Sequence, residues 1–183
     1  MEYLRNVTLK DGRACTLRSA AAQDAPAALA NFILTHGQTD FLLSYPDEIR
    51  FTEEQEAQLL QKKAESPREA ELLAVVDGKV AGLAGIDPVG RAEKLRHRCT
   101  LGVSIDKAFW GLGIGRALTT ACVECAKKAG YTQLELEVVE DNAAAVNLYR
   151  SLGFTEYGRN PAGFCARETG VHALLLMRLP LNV

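Results

Sequence analysis

The sequence has no long uninterrupted apolar run, no dense block of lysine and arginine, and no second pair of metal ligands to accompany its lone C-x-x-C. Each absence excludes something. A membrane-crossing helix needs about 20 predominantly apolar residues, and the opening Met1-Glu2-Tyr3-Leu4-Arg5 leads into none. Neither a signal peptide nor a membrane span is supported, and the expected location is cytoplasmic, away from membranes. A formal net charge of −2 offers no basic field for nucleic acid. The densest basic cluster, Arg91 to Arg98, reads as a solvated loop and the start of a strand. Five cysteines are an odd number for a disulfide framework in a chain without a secretion signal, so reduced thiols are expected. Cys122 and Cys125 fall inside a helical pattern, which points them at the core and predicts no metal site.

Repeats, low-complexity tracts and long linkers are missing too, and 183 residues suit one domain spanning 1–183. Chains of about 150 residues already bury roughly two-thirds of their unfolded surface. The elements read as mixed α/β. A turn at Asp11-Gly12 precedes a strand near Ala14 to Arg18. Asp24-Ala25-Pro26 opens a helix that should stop near Gly37. The irregular stretch from Gln38 to Phe51 reads as a loop, and Thr52-Glu53-Glu54-Gln55 is a capping box for a second helix to about Glu65. Leu72 to Val76 and Lys79 to Ile86, split by Asp77-Gly78, predict an antiparallel hairpin. Arg98 to Ile105 alternates, with Cys99, Leu101, Val103 and Ile105 on one face. A helix from Arg116 to Ala129, closed by Gly130, leads to a strand at Gln133 to Val139. A short helix from Ala143 to Leu152 follows, then a strand from Phe154 to Tyr157, a loop with Pro161 and Gly163, and a last strand from His172 to Leu179.

Three alternating glycines, Gly111, Gly113 and Gly115, stand between the fourth strand and the long helix. Glycine lets a ligand approach the backbone, and the first N–H groups of the helix have no intrahelical partner, so an anion fits there. The spacing is not a P-loop, which needs a lysine, nor a Rossmann fingerprint, whose third glycine would fall at Arg116. Further on, Asn142, Val146 and Tyr149 occupy one helix face at i, i+4 and i+7. Taken alone, Asn142 reads as a helix cap and Tyr149 as a packed phenol.

Together the glycine turn and the segment Asn142-x-x-Ala145-x-x-x-Tyr149-x-x-x-Gly153-Phe154 resemble the GNAT (general N-acetyltransferase) superfamily. The resemblance implies a mixed, mostly antiparallel sheet with two central splayed parallel strands, flanked by about four helices. It also implies acetyl-CoA as co-substrate and no metal. The acceptor would be a primary amine of a small molecule or peptide, attacking directly, and a homodimer is admitted. Main-chain groups of Leu112, Gly113, Ile114, Gly115 and Arg116 would cradle the pyrophosphate. Val103 and Ser104 would orient the acetyl group, and Asn142 would bind the pantetheine or hold the splay. Tyr149 would be the general acid. The family often carries a glutamate where this chain has Thr100, so the general base falls to Glu137, with Glu135 two residues away and His172 near the carboxyl end as others. Trp110 stands at the family's Gln/Arg position, and Asp40, Tyr45 and Glu48 lie where an acceptor wall is expected. A non-catalytic acyl-CoA-binding module and a Rossmann-like nucleotide domain are the competing readings.

Overall fold

The computed structural model describes residues 1–182. Eight strands form one sheet in the order β1-β2-β3-β4-β5-β6-β8-β7. The Asp11-Gly12 turn follows a strand of its own, β1 (Leu4–Thr8), which pairs antiparallel with β2 (Ala14–Ser19). The hairpin at Asp77-Gly78 joins β3 (Ala70–Val76) to β4 (Lys79–Pro88). Both turn residues have positive φ, 50° and 77°, as a tight turn matched to strand twist requires.

Helix α1 (Ala25–Gly37) begins at the expected proline, but Asp24 does not cap it: its carboxylate is taken by the Arg18 guanidinium at 2.7 Å and by the Ala21 N–H. Helix α2 (Glu53–Glu65) opens on the reciprocal Thr52–Gln55 box. Both pack on one face of the sheet, around Ala25, Ala28, Leu60, Leu73 and Leu83. The opposite face carries α3 (Ile114–Lys128) and α4 (Ala143–Ser151). There Leu118, Cys122 and Cys125 pack with Leu72, Ile86, Leu134 and Met177 in the larger core. Burial pushes the Cys122 and Cys125 thiols up, which leaves them inert packing groups.

The strand expected to end at Tyr157 runs on. β7 (Thr155–Ala166) and β8 (Gly170–Pro180) make a long hairpin, and Pro161 and Gly163 lie within β7 where the register slips between Asn160 and Phe164. Proline cannot donate to a ladder, and a bulge is where a strand tolerates one.

Two central strands are parallel, and they part. β5 (Arg98–Ile105) pairs with β6 (Gln133–Val139) only at Arg98↔Gln133, Cys99↔Leu134 and Thr100↔Glu135. Beyond that β5 keeps β4 on its other side and β6 keeps β8, so a V-shaped split opens between them. The alternation of β5 changes with it. Cys99 and Leu101 are buried as expected, but Val103 and Ile105 are only half-buried and Ser104 is 9% exposed.

Candidate active site

The split ends at the glycine turn, and its geometry follows from three different demands on three glycines. Gly111 and Gly113 have φ of 78° and 100°, and a Cβ on either would meet nothing within 4 Å. A side chain there would stand in open space in front of the turn. Gly115 has an ordinary φ; its Cβ would press on Ile105 and Leu148, each at 3.2 Å, so it is small to let α3 sit against β5 and α4. Gly113 is the helix N-cap, and the first hydrogen bond of α3 runs from the Ala117 N–H to the Gly113 carbonyl at 3.1 Å. The preceding amides have no helical acceptor, and the helix dipole lies behind them. The turn is anchored from outside by the Lys10 N–H, which donates to the Leu112 carbonyl at 3.1 Å.

Trp110 keeps its ring 47% exposed and donates its indole N–H to the Ile105 carbonyl at 2.8 Å, fixing the end of β5. Arg116 donates to the Ser151 hydroxyl at 2.7 Å, tying α3 to the end of α4. Gln38 bridges α1 to the same turn: its amide nitrogen donates to Asp106 at 2.9 Å and its amide oxygen accepts from the Lys107 N–H at 2.8 Å.

On the far side of the split, the Asn142 side chain accepts from the Ala145 N–H at 3.2 Å, the cap that starts α4. On the same helix, Tyr149 packs against Phe154 with the rings tilted by 59° and their centroids 5.7 Å apart. Burial, helped by the neighbouring Cys122 thiol, pushes its phenol up to about 12. A phenol held that firmly is protonated at any ordinary pH, so it enters a reaction as a proton donor.

The carboxylates divide sharply. Glu135 is buried in an ion pair with Arg98, with Gln133 donating at 2.8 Å, and the Arg98 guanidinium above all holds its carboxyl below the usual range. It is a structural anion. Glu137 lies on the same face of β6 but is exposed. Continuing the β5–β6 register by two residues would set it level with Gly102, where the strands have parted. His172 bonds Asp141 at 2.6 Å and the Thr169 hydroxyl at 2.8 Å, so both ring nitrogens are engaged. Thr100 turns its hydroxyl to the Asp87 carbonyl at 3.3 Å.

The loop after α1 uses its polar residues on itself. Glu48 accepts from the Tyr45 N–H at 2.8 Å, and the Tyr45 hydroxyl accepts from the Arg167 N–H at 2.6 Å. Arg167 also stacks on the Tyr45 ring at 4.0 Å and pairs with Asp47 at 2.9 Å, latching the loop to the β7–β8 turn. The loop brings Leu42, Leu43 and Ser44 to the rim of a cleft of about 330 Å³ that reaches Val103 and Ser104 on β5, with Leu43 itself largely in solvent.

Two acidic residues that the sequence did not single out also line that cleft, Glu71 on β3 and Asp87 on β4. Lys63 from α2, 9% exposed, donates to Glu71 at 3.0 Å and to Asp87 at 2.9 Å. Burial raises the Glu71 carboxyl against the opposing pull of Lys63. The one sequence signal was an acid set inside the apolar run of β3.

A helix N-terminus bared by glycines thus stands at the end of a split between two parallel strands. Residues 35–154 match the Acetyltransferase (GNAT) family, and the chain belongs to that family. A GNAT-family acetyltransferase from Streptococcus pneumoniae is similar at 31% identity and TM-score 0.87, over 91% of this chain and 99% of that one. The structure of yncA from Salmonella typhimurium, solved with its cofactor acetyl-CoA, shares the fold at 21% identity and TM-score 0.80, over 92% and 95% of the two chains. Among curated relatives, N-alpha-acetyltransferase RimI of Mycobacterium tuberculosis is 40% identical over 82 residues, 44% of this chain and 49% of that protein. The chain spans about half or less of the length of the first curated relatives it matches, from 16% to 49%. Among the described residues no helix is long and apolar enough to cross a membrane.

Proposed function

We propose that the protein is an N-acetyltransferase that moves an acetyl group from acetyl-CoA to a primary amine of a small molecule or a peptide, by direct attack within a ternary complex. The observation that carries this reading is the juxtaposition of the Gly111–Gly115 turn with the split between β5 and β6. The residues fit the co-substrate. The backbone at Gly111 and Gly113 is bare, with open space where a Cβ would stand and a pyrophosphate could approach, and β5 beyond Thr100 has no partner on its β6 side, as a pantetheine pairing like a strand requires. Backbone amides from Leu112 to Arg116 bind the phosphates, and Arg116 adds charge from its Ser151 anchor. Asn142 holds the α4 end of the groove. Val103 and Ser104 orient the acetyl carbonyl.

Acetyl-CoA supplies an acyl carbon already activated as a thioester. The remaining chemistry is proton traffic, and two residues handle it. Glu137 takes a proton from the ammonium, directly or through water, and so frees the nitrogen lone pair that forms the new C–N bond. Tyr149 gives its proton to the sulfur as the C–S bond breaks, and regains one as the nitrogen sheds its second. One amide, one free thiol and one released proton balance the step.

Titration calorimetry with acetyl-CoA and a thiol-release assay over a panel of amines test the reading. Micromolar binding and amine-dependent thiol release are expected; a folded protein that binds no acetyl-CoA at millimolar concentration would refute it. Thr100, lacking the carboxylate common there, favours a second reading, a module that binds acyl-CoA without turnover. Binding with no thiol release from any amine would select it.

A further inference from the structure

Beside the split lies the cleft over β3, β4 and β5, and its walls have a definite chemical character. Phe32 from α1, Leu42 and Leu43 from the loop, and Leu83 from β4 make it apolar. Its only charged lining groups are the Glu71 and Asp87 carboxylates; among the described residues no lysine or arginine lines it. His36 adds no charge, because its Nδ1–H donates to the Phe32 carbonyl at 2.7 Å and burial holds the ring neutral. Lys63, outside the lining, balances one of the two carboxylates and leaves a net charge of about one negative.

The registers align this charge with the split. Glu71, Gly85 and Gly102 occupy one row across three strands, since Glu71 pairs with Gly85 and Gly85 with Gly102. A Cβ on Gly85 would collide with the Glu71 carboxylate, so glycine there is what lets that carboxylate lie across β4. A Cβ on Gly102 would meet nothing within 4 Å. The row is therefore a side-chain-free trough running from an anion to the edge of β5 where the strands part. Neighbouring strands lie about 4.8 Å apart, so an ammonium held by Glu71 is within one short step of that edge.

We propose that this cleft is the acceptor site and takes a small primary amine on an apolar stem with no carboxylate beside the nitrogen, and that Glu71 is the residue that selects it. This rests on the acetyltransferase reading. The apolar walls receive the stem, and the trough aims the nitrogen at the split. The carboxylate of a free α-amino acid would enter a cleft whose lining is net negative and whose neighbouring cation, Lys63, is already engaged by Glu71 and Asp87, which builds rejection into the site. A volume of about 330 Å³ lies at the lower end of small-molecule sites and suits a stem the size of phenylethyl or isopentyl.

The test pairs 2-phenylethylamine with phenylalanine, which differ by one carboxylate, using the full chain. Thiol release gives kcat/KM for each, and calorimetric titration into the protein saturated with CoA gives binding without turnover. A preference of about 100-fold for the amine is expected in both. Glu71→Gln should raise the KM of the amine about 10-fold or more and narrow the preference, with CoA affinity unchanged. Gly85→Ala, which displaces the carboxylate but keeps it, should act in the same direction. Phenylalanine bound as tightly as the amine would overturn the proposal whatever turnover shows, as would a folded Glu71→Gln variant with the KM unmoved. Preferential binding of the amine with no thiol release would uphold the site and remove the acetyltransferase reading.

Discussion

Replacing Gly113 by alanine should separate what the turn does for the fold from what it does for the ligand. Gly113 sits at φ 100°, and Gly130, at the other end of α3, sits at φ 78°. A Cβ at either position meets nothing within 4 Å, so the two substitutions carry no clash and differ only in place. Forcing an L-residue into the left-handed region costs about 1–2 kcal/mol. At about 2–4 °C per kcal/mol for a domain of this size, each variant should melt roughly 2–8 °C lower. Their affinities for acetyl-CoA should diverge. The methyl at position 113 would be carried by the N-cap of α3, beside the amides that the proposed cradle uses, and hydrogen bonds from those amides to a charged phosphate are worth about 1.5–3 kcal/mol each. Losing one or two weakens binding by roughly 10- to 1,000-fold or more. The methyl at position 130 would stand past the opposite end of α3, away from the turn, and should leave affinity as it was. Thermal unfolding and calorimetric titration of both variants give the four numbers. Wild-type affinity in Gly113→Ala, or an equal loss in Gly130→Ala, would refute the cradle.

Tyr149→Phe should lower kcat about 100-fold or more with little change in acetyl-CoA affinity; an unchanged rate across the pH range removes Tyr149 as the acid. The raised phenol also carries a stability signature. Its folded pKa of about 12 exceeds the unfolded value of 10.0, so its contribution is complete below pH 10 and lost as pH rises toward 12. The stability difference between wild type and Tyr149→Phe should shrink over that window. Lys63→Met leaves Glu71, with 19% of its side chain exposed, beside no cation. Its cost at pH 7 should be about 2 kcal/mol, below the full buried-pair figure because Asp87 is half in solvent. A buried carboxyl with a raised pKa is tolerated below its unfolded pKa and becomes costly as pH rises through the folded one, so denaturant titration should find the deficit smaller at pH 4 than at pH 7. Arg167→Ala should release the latch to Tyr45 and Asp47, exposing the loop from 39 to 51 to proteolysis with almost no change in melting temperature; unaltered cleavage would show that the latch is not what holds the loop.

Local chemistry made much of this fold legible. Asp77-Gly78 is a hairpin because two consecutive residues must take positive φ, and Thr52 with Gln55 is a cap because both partners lie three residues apart. The glycine turn and α4 announced themselves in the same way. What stayed hidden depends on register. Glu135 could not be told from Glu137 until Arg98 was found against it from the neighbouring strand, 37 residues away in sequence. Tyr45 lies in the loop where an acceptor wall is expected, but its hydroxyl is taken by Arg167 from a turn 122 residues later. Glu71 reached the cleft only because Gly85, opposite it, has no side chain, and no local pattern links those two positions. Pro161 marked a break in local hydrogen bonding but not whether the strand resumed beyond it.

The short seam between β5 and β6 has a practical consequence for anyone handling the protein. Three paired residues join two half-sheets, and past Thr100 the backbone of β5 turns an unclaimed edge toward the split. Sheet edges ordinarily invite other strands, and proteins blunt them with charge or cover. This one cannot be blunted without closing the groove. Without CoA the same edge is a template for a misplaced strand from another molecule, so ligand-free stocks should aggregate sooner on warming than stocks stored with CoA.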